Sequence, residues 1–322
     1  MKITAVVRTH NRKEFLKECL CSISLQSYSN WEILIFDDGG DEDNYKVYRD
    51  FKESHQDKRV VYITSATNFD LFKKSWTYPI HLSEGEIIIR IDDDDVFEID
   101  AFTYVAEVYE SNPQLDFSYG SSASFSDDGK RLIGILYNSS PLDHKTTSAW
   151  APYVDPINKP WTWFENYFEE DVPLTSIIHA SRKAIMTVYH PYVMRKSSLL
   201  KIDDLGNPTS NFFDDLEFLS TLEYLGFTYA VLKKILIFTR IHSKERIMNW
   251  SGISHGTNLY EESNRVRELV DEIRPNNFLP SIREISSKIL EIEDVEKILN
   301  QTQMLIESKV TQIFVKEASV DS

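Results

Sequence analysis

Four consecutive aspartates, Asp92 to Asp95, follow the apolar run Ile87-Ile88-Ile89-Arg90-Ile91. No other stretch of the chain concentrates so much reactive charge at one point. Carboxylates about 5 Å apart repel by roughly 3 kcal/mol per pair at an effective dielectric near 20, so the run favours solvent exposure or a bound divalent cation. An EF-hand calcium loop fails on spacing: Val96 would stand at its third ligand position, Phe97 at its glycine and Thr103 at its closing glutamate. Two further acid groups stand out. Asp37-Asp38-Gly39-Gly40 ends the apolar run Trp31 to Phe36, and Asp214-Asp215-Leu216-Glu217 opens a stretch that reads as a helix stopped at Gly226. Acids at a helix start also suit the helix dipole, whatever else they do.

The elements that carry these residues alternate. Ile3 to Val7, Trp31 to Phe36, Val60 to Ile63 and Ile87 to Ile91 read as strands, with helical patterns after the first, second and fourth. An Ile-rich run without polar alternation is the mark of a parallel strand covered on both faces. Alternation of this kind predicts a mostly parallel α/β sheet, in which ligands bind beyond the carboxyl ends of the strands. The acids fall at those ends. Helix is expected from about Ile99 to Glu110. Leu115 to Tyr119 and Arg131 to Leu136 read as strands, with Asp127-Asp128-Gly129-Lys130 as a turn, and Ala184 to Met194 reads as an inner strand. Tyr229 to Thr239 reads as strand interrupted at Lys233-Lys234, leading to Arg240-Ile241-His242. The stretch from Tyr137 to Asp171, rich in proline and tryptophan, suits a lid, an acceptor platform or an aromatic patch on the core. From about Asn258 the pattern is helical, with a stripe through Ile285, Ile289, Ile292, Val295, Ile298 and Leu299.

Composition narrows the function classes. The 322 residues carry a formal net charge of −16, with 42% hydrophobic and 27% charged residues, ordinary for a soluble globular protein but unsuited to non-specific nucleic-acid binding. An anionic ligand would need a metal or a local basic cluster to offset that field. Only two cysteines occur, Cys19 and Cys21, so neither a disulfide framework nor a zinc site follows. No run of 18 apolar residues is present, and a cytoplasmic setting is expected.

An apolar strand ending in Asp-x-Asp-x-Val would also suit a phosphatase of the haloacid-dehalogenase type, but this strand is the fourth rather than the first and no Gly-Asp-x-x-x-Asp follows it. The chain instead resembles a family 2 glycosyltransferase of the GT-A fold over roughly residues 1 to 245. Val6-Val7-Arg8-Thr9-His10-Asn11-Arg12 is similar to the family's strand followed by Pro-Thr-Tyr-Asn-Arg, and Gln26-Ser27-Tyr28 to its Gln-Thr-Tyr. Trp31 to Gly39 resembles the stretch ending in Asp-Asp-Gly-Ser, and Glu84-Gly85-Glu86-Ile87 with the acids resembles Gly-Glu-Tyr-Ile leading into Asp-Ala-Asp-Asp.

The resemblance implies a GT-A domain over residues 1–250, with a nucleotide-sugar half (1–120) and an acceptor half (121–250), followed by a helical extension over 251–322. It implies that Arg8, Thr9 and Asp38 hold the nucleotide base and that Asp92 lies near the ribose. Asp93 fills a variable position beside the nucleotide, and Asp94 binds Mn²⁺ or Mg²⁺ against the diphosphate. Asp95 is expected to support its neighbours or cap the next helix. His242 falls where many members place a His that reaches the metal or the diphosphate. Asp215 matches the catalytic base, with Asp214 as the alternative. The implied reaction is an inverting, metal-dependent transfer from a UDP-sugar to a hydroxyl of a glycan, lipid-linked or other acceptor, in surface-polysaccharide or glycan assembly. The competing readings are a sugar nucleotidyltransferase, which would need a glycine-rich first loop, and a non-catalytic nucleotide-sugar-binding protein. The C-terminal stripe would serve packing, a homodimer or peripheral contact with the inner face of a membrane. Two departures stand out: Arg8 replaces the family's Pro, and residues 68–83 lack its Ala-Arg-Asn pattern, leaving Lys73 and Lys74 as candidate phosphate contacts.

Overall fold

The computed structural model describes residues 1–65, 78–136, 150–151, 191–200, 227–242, 282–285 and 292–315. Asp214, Asp215, Lys73, Lys74 and most of the stretch 137–171 lie outside the described residues. The elements run β1 (Ile3–Thr9), α1 (Lys13–Ser24), β2 (Trp31–Asp37), α2 (Glu42–Ser54), β3 (Val60–Thr64), α3 (Tyr78–Leu82), β4 (Ile87–Asp92) and β5 (Val96–Phe97). Then follow α4 (Ala101–Ser111), β6 (Phe117–Ser126), β7 (Leu132–Leu136), β8 (Trp150–Ala151), β9 (Tyr192–Arg195), α5 (Lys196–Leu199), β10 (Tyr229–Ile241), β11 (Ile282–Ile285) and α6 (Ile292–Phe314).

The strands form one sheet in the order β11-β10-β6-β9-β4-β1-β2-β3, with β5 paired to β10 and β7 joining β6 to β8. Along this path β9 alone among the described strands runs against its neighbours, antiparallel to both β4 and β6. It includes the last residues of the inner strand expected over Ala184 to Met194, of which residues 184–190 lie outside the described residues. The mostly parallel sheet explains the loss of alternation in β1, β2 and β4, whose residues are buried on both faces. On one face Ile3, Ala5, Val7, Ile33, Ile35, Ile87, Ile89 and Ile91 join a single apolar cluster with α1, α2 and α4. In α1, Leu16, Cys19, Leu20 and Ile23 recur at helical spacing and bury completely.

Register sets the site. Arg8 pairs with Asp92 across β1 and β4, and Thr9 pairs with Asp37 across β1 and β2. Three loops therefore leave the sheet at one level. At the opposite end, Glu32 is fully buried yet satisfied. It accepts from Thr4 Oγ1 at 2.5 Å, Glu84 N at 2.6 Å and Gly85 N at 3.0 Å, and pairs with Arg59 at 2.8 Å and Lys2 at 3.4 Å. Burial works to raise its pKa, but the hydrogen bonds from Thr4, Glu84 N and Arg59 prevail and hold it below the ordinary value.

Two expectations change. The break at Lys233-Lys234 is not an end of strand: β10 is continuous and absorbs the irregularity as register shifts between Val231 and Ile237. Residues 282–285 are not helical but form β11, parallel to β10, because a β-branched segment beside an unpaired edge gains more by extending the sheet than by an isolated turn of helix. Part of the C-terminal stripe packs within the chain: Val295 and Leu299 of α6 are buried in the same cluster as α1 and α2, as are Ile306 and Ile313 further along the helix. No helix among the described residues is long and apolar enough to cross a membrane.

Candidate active site

The loop after β1 turns sharply. Asn11 takes a left-handed φ of 50°, which asparagine tolerates better than most residues, and its side chain accepts from Asp41 N at 3.0 Å. This turn aims Arg12 back over the sheet. Arg12 Nη2 lies 2.5 Å from Asp93 Oδ1, and Arg12 Nη1 donates to Asp94 Oδ2 at 2.7 Å. Thr9 Oγ1 donates to Asp93 Oδ2 at 2.6 Å, and Arg8 reaches Asp92 Oδ1 with Nε and Nη2, both at 2.9 Å. Each of the first three acids is thus held by a residue of the short stretch Arg8–Arg12 at the end of β1 and the turn after it.

The fourth acid faces elsewhere. Asp95 accepts from Arg240 N at 3.0 Å and braces β4 against β10. It does not cap the next helix, which starts at Ala101 without a side-chain cap bond. The guanidinium of Arg240 lies between the rings of Phe15 and Phe125, 4.8 and 4.6 Å from their centroids. It donates to Asp94 O at 3.2 Å and Asp127 O at 2.5 Å, and also to Glu18. Two residues on, and therefore on the same side of the chain, His242 places Nε2 2.9 Å from Asp94 Oδ2 and Nδ1 2.9 Å from Asp127 Oδ1.

Electrostatics separates the acids. Burial pushes Asp93 up to about 7, against the pull of Arg12, and pushes Asp95 well up, reinforced by Asp94 and Asp92. Asp94 feels the same burial, but Arg12 first and His242 next hold it below the ordinary range. Burial also opposes the charge of Arg12, yet Asp93, Asp94 and Asp92 outweigh it and raise its pKa. The run is not four equal charges. Of Asp93, Asp94 and Asp95, only Asp94 is held below the ordinary range.

On the other side of β1, Asp38 N donates to Thr9 O at 3.0 Å, and Ser65 Oγ donates to Asp38 Oδ1 at 3.1 Å. Gly39 takes φ 73°, and Gly40 passes so close to Asp37 that a Cβ there would stand 1.8 Å from Oδ2. The structure thus brings Arg8, Thr9, Asp38, Asp92, Asp93, Asp94 and His242 to one end of the sheet. Asp214 and Asp215 lie outside the described residues. Asp93 is fully buried, with its carboxylate turned to Thr9 and Arg12. Sequence reasoning missed Arg12, Arg240 and Asp127. The first was visible as the last residue of the Thr-His-Asn-Arg motif, and Arg240 by its spacing of two from His242.

Asp94 and His242 offer two donors suited to a divalent cation, and among the described residues no third His, Cys, Asp or Glu joins them. Asp94 Oδ2 and His242 Nε2 lie 2.9 Å apart, close to the spacing of adjacent ligands around an octahedral ion with bonds of about 2.1 Å. A His that gives its Nδ1–H to a carboxylate presents Nε2 outward, the usual arrangement behind a metal-ligating imidazole. Arg12 holds the same Oδ2 in this structure.

The family model for glycosyl transferase family 2 matches residues 4–167, half of the chain and all of the loops just described except the one carrying His242. The chain belongs to glycosyltransferase family 2. Glycosyltransferase GlyA of Streptococcus pneumoniae is 32% identical over 141 residues, 43% of this chain and 19% of that protein, so the chain matches about a fifth of its length. Two solved structures share the fold. Mannosyltransferase PcManGT from Pyrobaculum calidifontis, in complex with GDP-Man and Mn²⁺, has a TM-score of 0.55 at 12% identity, covering 100% of this chain and 76% of its own. TarS 1-349 of S. aureus, in complex with UDP-GlcNAc, has a TM-score of 0.52 at 14% identity, covering 97% and 84%. This family 2 chain therefore shares the GT-A fold of these structures.

Proposed function

We propose that this glycosyltransferase moves a sugar from a UDP-sugar to a hydroxyl acceptor, with inversion and with a divalent metal, in surface-polysaccharide or glycan assembly. The observation that carries the reading is the meeting of Asp94 and His242 at 2.9 Å, at the same sheet end as Asp38 and Asp92. Asp94 and His242 would hold a Mn²⁺ or Mg²⁺ ion, which would supply positive charge to offset the departing diphosphate. Arg12 keeps Asp94 ionised and aimed. Arg8 fixes Asp92 toward the ribose, and Asp38 accepts from the N3–H of the base while Ser65 holds its other face. Asp215 takes the proton from the acceptor hydroxyl as that oxygen attacks the anomeric carbon. The neighbour bound to UDP-GlcNAc favours uridine in the donor, and the one bound to GDP-Man and Mn²⁺ favours a divalent ion.

The test is a panel of UDP- and GDP-sugars assayed for Mn²⁺-dependent release of nucleotide. Release from a UDP-sugar, lost on chelation, is expected; release from GDP-sugars alone, or none from any donor, overturns the reading. Asp215→Asn is expected to abolish transfer while UDP and Mn²⁺ still bind.

A further inference from the structure

The turn between β6 and β7 carries two adjacent aspartates, and the structure gives them different work. Asp128 Oδ1 accepts from Ser126 Oγ at 2.6 Å and from Lys130 N at 3.2 Å, bonds that shape the turn itself. With Gly129 at φ 78° and Ser126 O accepting from Gly129 N at 2.8 Å, the turn is complete without the neighbouring carboxylate. Asp127 instead points out of the hairpin, with Oδ1 2.9 Å from His242 Nδ1. Its backbone is anchored separately by Arg240 Nη1 on Asp127 O at 2.5 Å. Phe15 closes the other side of the imidazole, 5.3 Å between ring centroids.

We infer that Asp127 is a positioning residue of the transfer site, which fixes the ring and tautomer of His242 so that Nε2 faces the Asp94 carboxylate and any cation held there. Each ring nitrogen stands 2.9 Å from a carboxylate oxygen, and an ionised carboxylate can only accept; with a cation between Asp94 and Nε2, the ring proton is left on Nδ1, where Asp127 accepts it. The ring cannot flip without placing a carbon against Asp127 and losing the bond. Asp127 touches neither substrate nor cation; it acts through His242. The inference rests on the proposed role of His242 as a ligand.

The experiment titrates Mn²⁺ into the full chain with saturating UDP, reading affinity by water-proton relaxation and the Mn–imidazole contact by ¹⁴N modulation in pulsed EPR. Removing a carboxylate behind a metal-bound His typically weakens metal binding about 10- to 100-fold. Asp127→Ala is therefore expected to weaken Mn²⁺ binding by about that factor and to remove the ¹⁴N modulation. Asp127→Asn, whose Oδ1 can still accept from Nδ1–H, is expected to recover most of both. Asp128→Ala, which disturbs only the turn, is expected to keep the modulation. His242→Ala separates the two claims. Weak binding and lost modulation in His242→Ala, with wild-type values in Asp127→Ala, overturn the inference alone. Wild-type binding in His242→Ala overturns the ligand role and the inference together. Equal loss in Asp127→Ala and Asp128→Ala, with no recovery in Asp127→Asn, makes the effect one of hairpin stability and overturns the inference.

Discussion

Arg12 and His242 reach the same oxygen of Asp94, Oδ2, at 2.7 and 2.9 Å. One comes from the loop after the first strand and the other from the end of the last long strand of the domain. A single carboxylate oxygen thus ties the loop after β1 to the end of β10, and every substitution near it acts on that tie.

Asp94 and its neighbour Asp93 are expected to separate cleanly. Asp94→Asn should lower transfer at least about 100-fold and abolish Mn²⁺ binding in the presence of UDP, since it removes the charge shared by Arg12 and His242. Asp93 is buried against Thr9 and Arg12, so Asp93→Asn should keep Mn²⁺ binding within about 10-fold and show its effect as a lower melting temperature. Equal losses of metal in both variants would mean that the run acts as a diffuse acidic patch.

Arg240 joins four parts of the chain through Asp94 O, Asp127 O, Glu18 and the two phenylalanine rings. Arg240→Met is expected to cost about 3 kcal/mol in denaturant unfolding, the low end for breaking a buried pair because Glu18 keeps some access to solvent. Adding Glu18→Gln should recover part of the loss. Additive losses in the double variant would show that the ion pair is not the source.

Glu32 gives the acid limb of stability a definite sign. Its folded pKa lies below the ordinary 4.5, so the folded state holds it ionised more readily than the unfolded chain does. The stabilisation is complete above pH 4.5 and is lost as pH falls through the folded value. Chemical denaturation from pH 7 to pH 3 should show Glu32→Gln less stable than wild type at neutral pH, with the gap closing below pH 4.5. A gap independent of pH would assign the loss to packing instead.

Gly40 has no room for a side chain. A Cβ there would collide with the Asp37 carboxylate, which is fully buried and bound by the Tyr62 hydroxyl. Gly40→Ala is expected to cost about 2 kcal/mol and to weaken UDP binding by displacing Asp38. Unchanged thermal unfolding and UDP affinity would show that the loop relaxes freely.

The parallel half of the sheet was legible because its strands are short Ile- and Val-rich runs that end in polar loops, and each loop carries part of a motif. Arg8, Thr9, Asp38 and the acid run could be placed from those residues alone. His242 was legible only by its place after a strand. What could not be read depends on contacts distant in sequence. Nothing in Arg240 as a residue type says that Phe15 and Phe125 will enclose it, and Asp127 looked like a second turn-former because its partner lies 115 residues away. The strand at Ile282–Ile285 was missed for the same reason: four residues beside helix-compatible neighbours turn into strand only because β10 offers an edge.

The docking of α6 on α1 also turns Cys21 into a built-in clock. Cys19 and Cys21 are fully buried on α1, and burial pushes the Cys21 thiol up to about 12, with Lys309 of α6 near enough to pull it down. A thiolate is the reactive form, so neither sulfur should react while the helices stay packed. The rate at which a thiol reagent labels Cys21 in the native protein then measures how often the C-terminal helix lifts away, with no probe added to the sequence.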